Sequence, residues 1–216
     1  MKNRFDLLVF DWDGTLFNSI DWIVESIQES AKACSFNVPS SKMARSIIGL
    51  NLDEAMHQLF PDISSQEKRD LVQAYKQHYT SRNMDVNDLF QGVLPMLSQL
   101  RQAGYMLAVA TGKGRKGLQS VLNATGTTAC FNATRCADEA ESKPHPKMLF
   151  QLIDEMEVTR SRVLMIGDSV HDLVMANNAG VDSVAVSCGA SDPMELQQFK
   201  PLLCLPETRK LAEILL

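Results

Sequence analysis

Carboxylates stand close together at two places in this chain. Asp11-Trp12-Asp13-Gly14-Thr15 sets two of them ahead of a glycine and a hydroxyl, and Gly167-Asp168-Ser169 supplies a third, with Asp172 following in the same stretch. Thr111-Gly112-Lys113 and Lys143-Pro144-His145-Pro146 add a hydroxyl and two lysines. Crowded carboxylates repel one another and need a cation, and oxygen donors that leave part of a hydration shell in place suit Mg²⁺. Such a cation, with a lysine and backbone N–H groups, can neutralise phosphate oxygens, which is the demand of phosphoryl transfer. One carboxylate can then serve as nucleophile, because its reference pKa of about 4 leaves it ionised at neutral pH without a base.

These groups can meet only if the fold gathers them. Four short apolar runs, Leu7 to Phe10, Tyr105 to Ala110, Val163 to Ile166 and Ser183 to Val186, lack strict alternation and read as strands covered on both faces. Phe131 to Cys136 and Pro201 to Cys204 are weaker strand candidates. Helical patterns over Val93 to Gln102, Lys116 to Ala124, Pro146 to Met156 and Val170 to Ala179 lie between them, three of them closing near Gly104, Gly126 and Gly180. Strand alternating with helix predicts an α/β fold, a doubly wound, mostly parallel Rossmann-like sheet. In such sheets ligands bind beyond the carboxyl ends of the strands. Three of the motifs directly follow an apolar run, and Lys143 sits in a loop before the third run.

The stretch from Ser19 to Asn87 breaks the alternation. Ile20, Ile23, Ile27, Ala31 and Cys34 share one helical face. Asn51 with Glu54, and Ser64 with Glu67, have capping-box spacing ahead of further helical runs. The expectation is an inserted all-helical cap domain over 18–87, with the α/β core formed by 1–17 and 88–216.

The residues DWDGT at 11–15, TGK at 111–113, KPHP at 143–146 and GDSVHD at 167–172 resemble, in order and position, the four motifs of the haloacid dehalogenase-like hydrolase superfamily. The helical insert after the first motif looks like that superfamily's C1-type cap, and the nearest subgroup is the phosphoglycolate phosphatase-like one. Many members carry Asp where this chain has Asn18. The resemblance implies a Mg²⁺-dependent phosphatase working through an aspartyl phosphate, since the family's dehalogenases generally lack the second aspartate of the first motif. It implies Asp11 as nucleophile and metal ligand, and Asp13 as general acid and base with its carbonyl on the metal. It implies Thr111 and Lys143 on the phosphoryl group, and Asp168 and Asp172 in the metal shell. Gly14, Gly112, Lys113, Leu50, Asn51 and Trp22 are the implied substrate-binding positions, with the cap residues facing the leaving group.

Taken singly, these residues have plainer readings. Asp168 and Asp172 suit the start of a helix, Lys143 a wet surface, and Lys113 a solvated helix start. His57 and His78 read as surface residues of the cap, and His171 is given no role. The 216 residues carry a net charge of -5, which argues against a nucleic-acid partner. No run approaches the roughly 18 apolar residues of a membrane helix. Five cysteines without a CxxC pair read as reduced thiols, which suits the cytoplasm. The expected partner is a small phosphorylated metabolite, handled by a monomer or weak homodimer. Two other readings stay open: a phosphomutase of the β-phosphoglucomutase type, and a non-catalytic phosphate-binding protein that keeps the fold.

Overall fold

A computed structural model describes Met1 and residues 3–216. Six parallel strands form one sheet: β1 (Leu7–Phe10), β2 (Met106–Thr111), β3 (Ala133–Cys136), β4 (Val163–Gly167), β5 (Asp182–Val186) and β6 (Leu203–Leu205), in the order β3-β2-β1-β4-β5-β6. Val9 of β1 aligns with Ala108 on one side and Met165 on the other. The strand order reverses at β1, where an open α/β sheet has its crevice.

Alternate residues of each strand enter different cores, which is why the runs are continuously apolar. Leu7 and Val9 pack with Met148, Leu149 and Leu152 of α7 (Lys147–Glu155) and Met175 of α8 (Val170–Ala179). Leu8 and Phe10 face Leu97 and Leu100 of α5 (Val93–Gln102), together with residues of α6 (Arg115–Thr125) and α10 (Leu211–Leu215). Helix α9 (Pro193–Gln197) lies near the β5–β6 edge. Among the described residues, no helix is long and apolar enough to cross a membrane.

Several strand ends differ from the sequence expectation by one or two residues, and at two starts the reason is local. Tyr105 is not the start of β2: its N–H donates to Leu100 O, so it still closes the end of α5. Strand β6 begins at Leu203 rather than Pro201, because proline has no N–H for the ladder.

Between β1 and α5 lie α1 (Ile20–Ala33), α2 (Ser41–Ser46), α3 (Leu52–Leu59) and α4 (Ser65–Thr80). Ile20, Ile23, Ile27 and Ala31 are buried, as their spacing predicts, and α1 packs along α4. Ser64 and Glu67 make a complete capping box at the start of α4. Asn51 caps only from its side chain, by accepting from Glu54 N; its own N–H donates to Ser142 Oγ at 3.0 Å instead. His78, read as a surface residue, is half-buried, and its Nδ1 lies 3.0 Å from Ser26 Oγ and links α4 to α1. The chain enters and leaves this helical block side by side, with Asn18 N donating to Asp88 O and Phe90 N to Leu16 O.

Candidate active site

The end of β1 forces Asp11 into the sheet's crevice. Its N–H donates to Ile166 O, which extends the β1–β4 ladder by one residue and fixes the backbone. Trp12 is fully buried, its ring 5.9 Å from Phe17 and 6.2 Å from Phe131, and its carbonyl accepts from Leu16 and Phe17 N–H. The chain therefore turns tightly after Asp11 and presents Asp13 on the same edge. Gly14 sits at φ 79°, where any side chain is strained, and an added Cβ would strike the Asp168 carboxylate.

Lys143 is fully buried and donates to Asp11 Oδ1 at 2.7 Å and Asp172 Oδ1 at 2.6 Å. The other oxygen of Asp172 accepts from Ser169 N at 3.1 Å and Ser169 Oγ at 2.7 Å, so the same carboxylate caps the start of α8 and receives Lys143. Asp168 accepts from Thr15 Oγ1 and from Ala190 N–H, each at 2.7 Å. Oxygens of Asp11, Asp168 and Asp172 lie within 4.8 Å of one another.

If all three were ionised, these buried carboxylates around one ammonium would leave two uncompensated negative charges. Burial pushes Asp11 well above the usual carboxylate range, against the pull of Lys143. Burial, followed by the Asp172 charge, pushes Asp168 up to about 7, although Thr15 and Ala190 act the other way. A compact, all-oxygen donor set with excess negative charge is a fit for a divalent cation.

Thr111 ends β2 and accepts from Lys113 N–H at 3.1 Å. The profile of haloacid dehalogenase-like hydrolases matches residues 8–186 of this chain. The chain is a haloacid dehalogenase-like hydrolase. It is 26% identical over 213 residues to pyrophosphatase PpaX of Bacillus mycoides, covering 98% of this chain and 97% of that one. It is 27% identical over 212 residues to phosphoglycolate phosphatase of Mannheimia succiniciproducens, covering 93% and 94%. A predicted phosphoglycolate phosphatase from Haemophilus somnus has the same fold, with a TM-score of 0.87, 25% identity and 98% of both chains covered. Within its family the hydrolase is therefore an enzyme of the phosphatase kind.

The hydrolase corrects one expectation outright. Lys113 is no solvated helix start: its side chain is 11% exposed, its Nζ lies 3.0 Å from Asp13 Oδ2, and it donates to Tyr79 Oη at 2.8 Å. The Asp13 carboxylate and the Tyr phenols hold the ammonium charged, well above the ordinary lysine value, against its burial. Trp22 is 5% exposed and stacked on Tyr79 at 4.3 Å, so it meets the site through Tyr79 and Lys113. Sequence reasoning gave no site role to Ser19, whose Oγ donates to Asp13 Oδ1 at 2.6 Å, to Thr15 at the end of the first motif, to Tyr79 or to Ala190 N–H beside Asp168. Tyr79 and Ala190 lie outside every motif and reach the site only through the chain's return in three dimensions. His171, given no role, places its Nε2 3.0 Å from Ser46 O and so links α8 to α2.

The helical block is seated directly on the core at Gly112. A Cβ there would lie 2.5 Å from Leu50 O and 2.6 Å from Gly49 O, both backbone atoms that cannot swing aside. Gly112→Ala should therefore hold the 49–51 loop off the core. Because misplacement by about 1 Å can cost about 10²-fold, kcat/KM toward nitrophenyl phosphate should fall by about that factor. The fully packed sheet should keep its cooperative melt. Unchanged kinetics would mean that this contact does not position the site.

Proposed function

We propose that the chain is a Mg²⁺-dependent phosphatase that hydrolyses a small phosphate monoester through an aspartyl phosphate on Asp11. The observation carrying this is the pair of differently held carboxylates at the end of β1. Asp11 is buried against Lys143 in the acidic cluster, and Asp13 lies outside that cluster, between Ser19 Oγ and Lys113 Nζ. One suits attack on phosphorus and the other proton transfer. Residues 1–17 and 88–216 form the catalytic core and 18–87 its cap, a reading supported by the paired crossings at Asn18–Asp88 and Leu16–Phe90.

In the first step an Asp11 carboxylate oxygen forms a bond to phosphorus, and the bond to the ester oxygen breaks. The electron pair leaves with that oxygen, which takes a proton from Asp13. In the second step water attacks the same phosphorus, Asp13 takes its proton, and the Asp11–phosphorus bond breaks to release phosphate. Lys143 orients Asp11 and offsets phosphoryl charge. Thr111, whose oxygen accepts from Lys113 N–H, keeps its own hydroxyl proton for a phosphoryl oxygen. Asp11, Asp168, Asp172 and the Asp13 carbonyl would hold Mg²⁺, which supplies positive charge against the phosphate oxygens and the attacking carboxylate. The leaving group is read by the cap through Leu50 and Asn51, whose placements on Gly112 and Ser142 support that assignment, while Trp22, stacked behind Tyr79, acts only through that ring. Acid quench during turnover, followed by mass spectrometry, tests the proposal: phosphate should be found on Asp11.

Metal dependence should carry a pH signature. Chelation should abolish hydrolysis of nitrophenyl phosphate, Mg²⁺ should restore it, and the larger, more loosely coordinated Ca²⁺ should restore it poorly. A carboxyl that keeps its proton up to about 7, as Asp168 does, must release it to bind a cation. The rise in Tm on adding Mg²⁺ should therefore be larger at pH 8 than at pH 5.5. An equal or larger rise at pH 5.5 would contradict the assignment of Asp168.

A further inference from the structure

Lys113 is anchored at its two ends by different parts of the fold. The core fixes its backbone: the N–H donates to Thr111 Oγ1 at 3.1 Å, and the carbonyl accepts from Ala137 N at 2.9 Å. Beyond that the side chain is a flexible stem, and it is helix α4 of the cap that holds the ammonium. Tyr79 Oη accepts from Nζ at 2.8 Å, and Nζ lies 4.5 Å from the Tyr79 ring centre, within cation–π range. Tyr79 itself has little freedom. Its ring is parallel to Trp22 of α1 within 6° at 4.3 Å, and it stacks on Tyr75 at 5.6 Å. The stack lies across the α1–α4 interface, so the phenol moves only if the cap moves.

The far end of this chain of contacts is Asp13. Its Oδ2 faces the Lys113 ammonium at 3.0 Å, and its Oδ1 accepts from Ser19, the residue preceding α1. Both carboxylate oxygens are thus oriented from the helical block, one directly and one through Lys113. A lysine whose ammonium loses Tyr79 keeps its backbone place but regains rotamers.

We propose that Tyr79 is a positioning residue: acting through Lys113, it holds the Asp13 carboxylate in line for proton transfer, so the acid–base group is complete only when cap helix α4 is seated on the core. The proposal rests on Asp13 being the proton-transfer group, and the test separates the two ideas. A series of aryl phosphates with leaving groups from nitrophenolate to phenolate and methoxyphenolate reports the demand for protonation as the slope of log kcat/KM against leaving-group pKa. That parameter covers steps only through departure of the phenol. Tyr79→Phe keeps the ring stack and the cation–π face and removes only the hydroxyl. It should steepen the slope, losing about tenfold on phenyl phosphate and less than twofold on nitrophenyl phosphate, a partial form of the loss expected without the acid. Lys113→Met should steepen it at least as much, and adding Tyr79→Phe to it should cost nothing further. A thermal melt accompanies each variant.

A Tyr79→Phe loss that is equal across the series, an unchanged slope, or an additive loss in the double variant overturns the proposal. Asp13→Asn with an unchanged slope overturns the reading of Asp13, and the proposal with it. A steeper slope in Asp13→Asn but not in Tyr79→Phe leaves that reading standing and removes Tyr79 from it.

Discussion

Asp11→Asn should abolish turnover, with a loss on the order of 10⁶-fold, the scale on which deletion of a covalent nucleophile is felt. No donor should leave phosphate on the protein. The substitution is close to isosteric, and the amide oxygen can still accept from Lys143, so the loss reports chemistry rather than collapse of the site. Stability should move the other way. Burial already pushes Asp11 well above its usual range, and ionising it places a third charge beside Asp168 and Asp172 with Lys143 alone opposite them. An amide neither carries that charge nor has to take up a proton to avoid it, a cost that the raised Asp11 imposes on the fold at alkaline pH. The metal-free variant should therefore melt above the metal-free parent at pH 7.5 to 8, a cost of the kind often carried by active sites. Calorimetry in chelator checks the melt, and acid-quench mass spectrometry checks the phosphate. Turnover within tenfold of the parent, or phosphate on another residue, sinks the nucleophile assignment. A lower melting temperature sinks the charge argument.

The parts of this molecule that could be read from sequence are those governed by one-dimensional rules. Buried parallel strands are short apolar runs, so Leu7 to Phe10 and Val163 to Ile166 stood out, and the residues after them had to lie at one sheet edge. The meeting of Asp11 and Asp168 follows from the pairing of β1 with β4, whereas Lys143 reaches them from the loop before α7 and Asp172 from the first turn of α8. Ser64 with Glu67 was visible because a capping box has fixed spacing. Helices α2, α9 and α10, of 6, 5 and 5 residues, are too short for periodicity to show. Lys113 was misjudged because its local neighbours, Arg115 and Lys116, make a basic run that usually faces water, and the two groups that bury it lie at Asp13 and Tyr79. Tyr79 lies in the helical run after the Ser64–Glu67 capping box, and nothing in that run marks its hydroxyl. Its hydroxyl found a use because α4 leans on the core, a tertiary fact with no sequence period.

Asp13→Asn should separate the two chemical steps that Asp11→Asn removes together. The nucleophile remains, so a phosphoenzyme can form, but the group that protonates the leaving oxygen is gone. An alkyl phosphate leaves as a poorly stabilised alkoxide, and its first step should slow by about 10²- to 10⁴-fold. Nitrophenolate needs little protonation, so its departure should suffer much less. Breakdown of the aspartyl phosphate then lacks the base that takes a proton from water. Nitrophenyl phosphate should therefore give a burst approaching one equivalent of nitrophenolate, then slow turnover, with phosphate trapped on Asp11. The stability effect should be opposite in sign to that of Asp11→Asn. Asp13 is the carboxylate opposite Lys113, both side chains are 11% exposed, and removing one partner of a buried pair leaves a charge without its counter-charge. That loss is typically about 3 kcal/mol or more when the pair is fully buried, so the melt should fall. Rapid mixing with nitrophenyl phosphate shows the burst, and mass spectrometry of the quenched protein locates the phosphate. A variant with no burst, or one slowed equally on alkyl and nitrophenyl substrates, would show that Asp13 does not carry the proton.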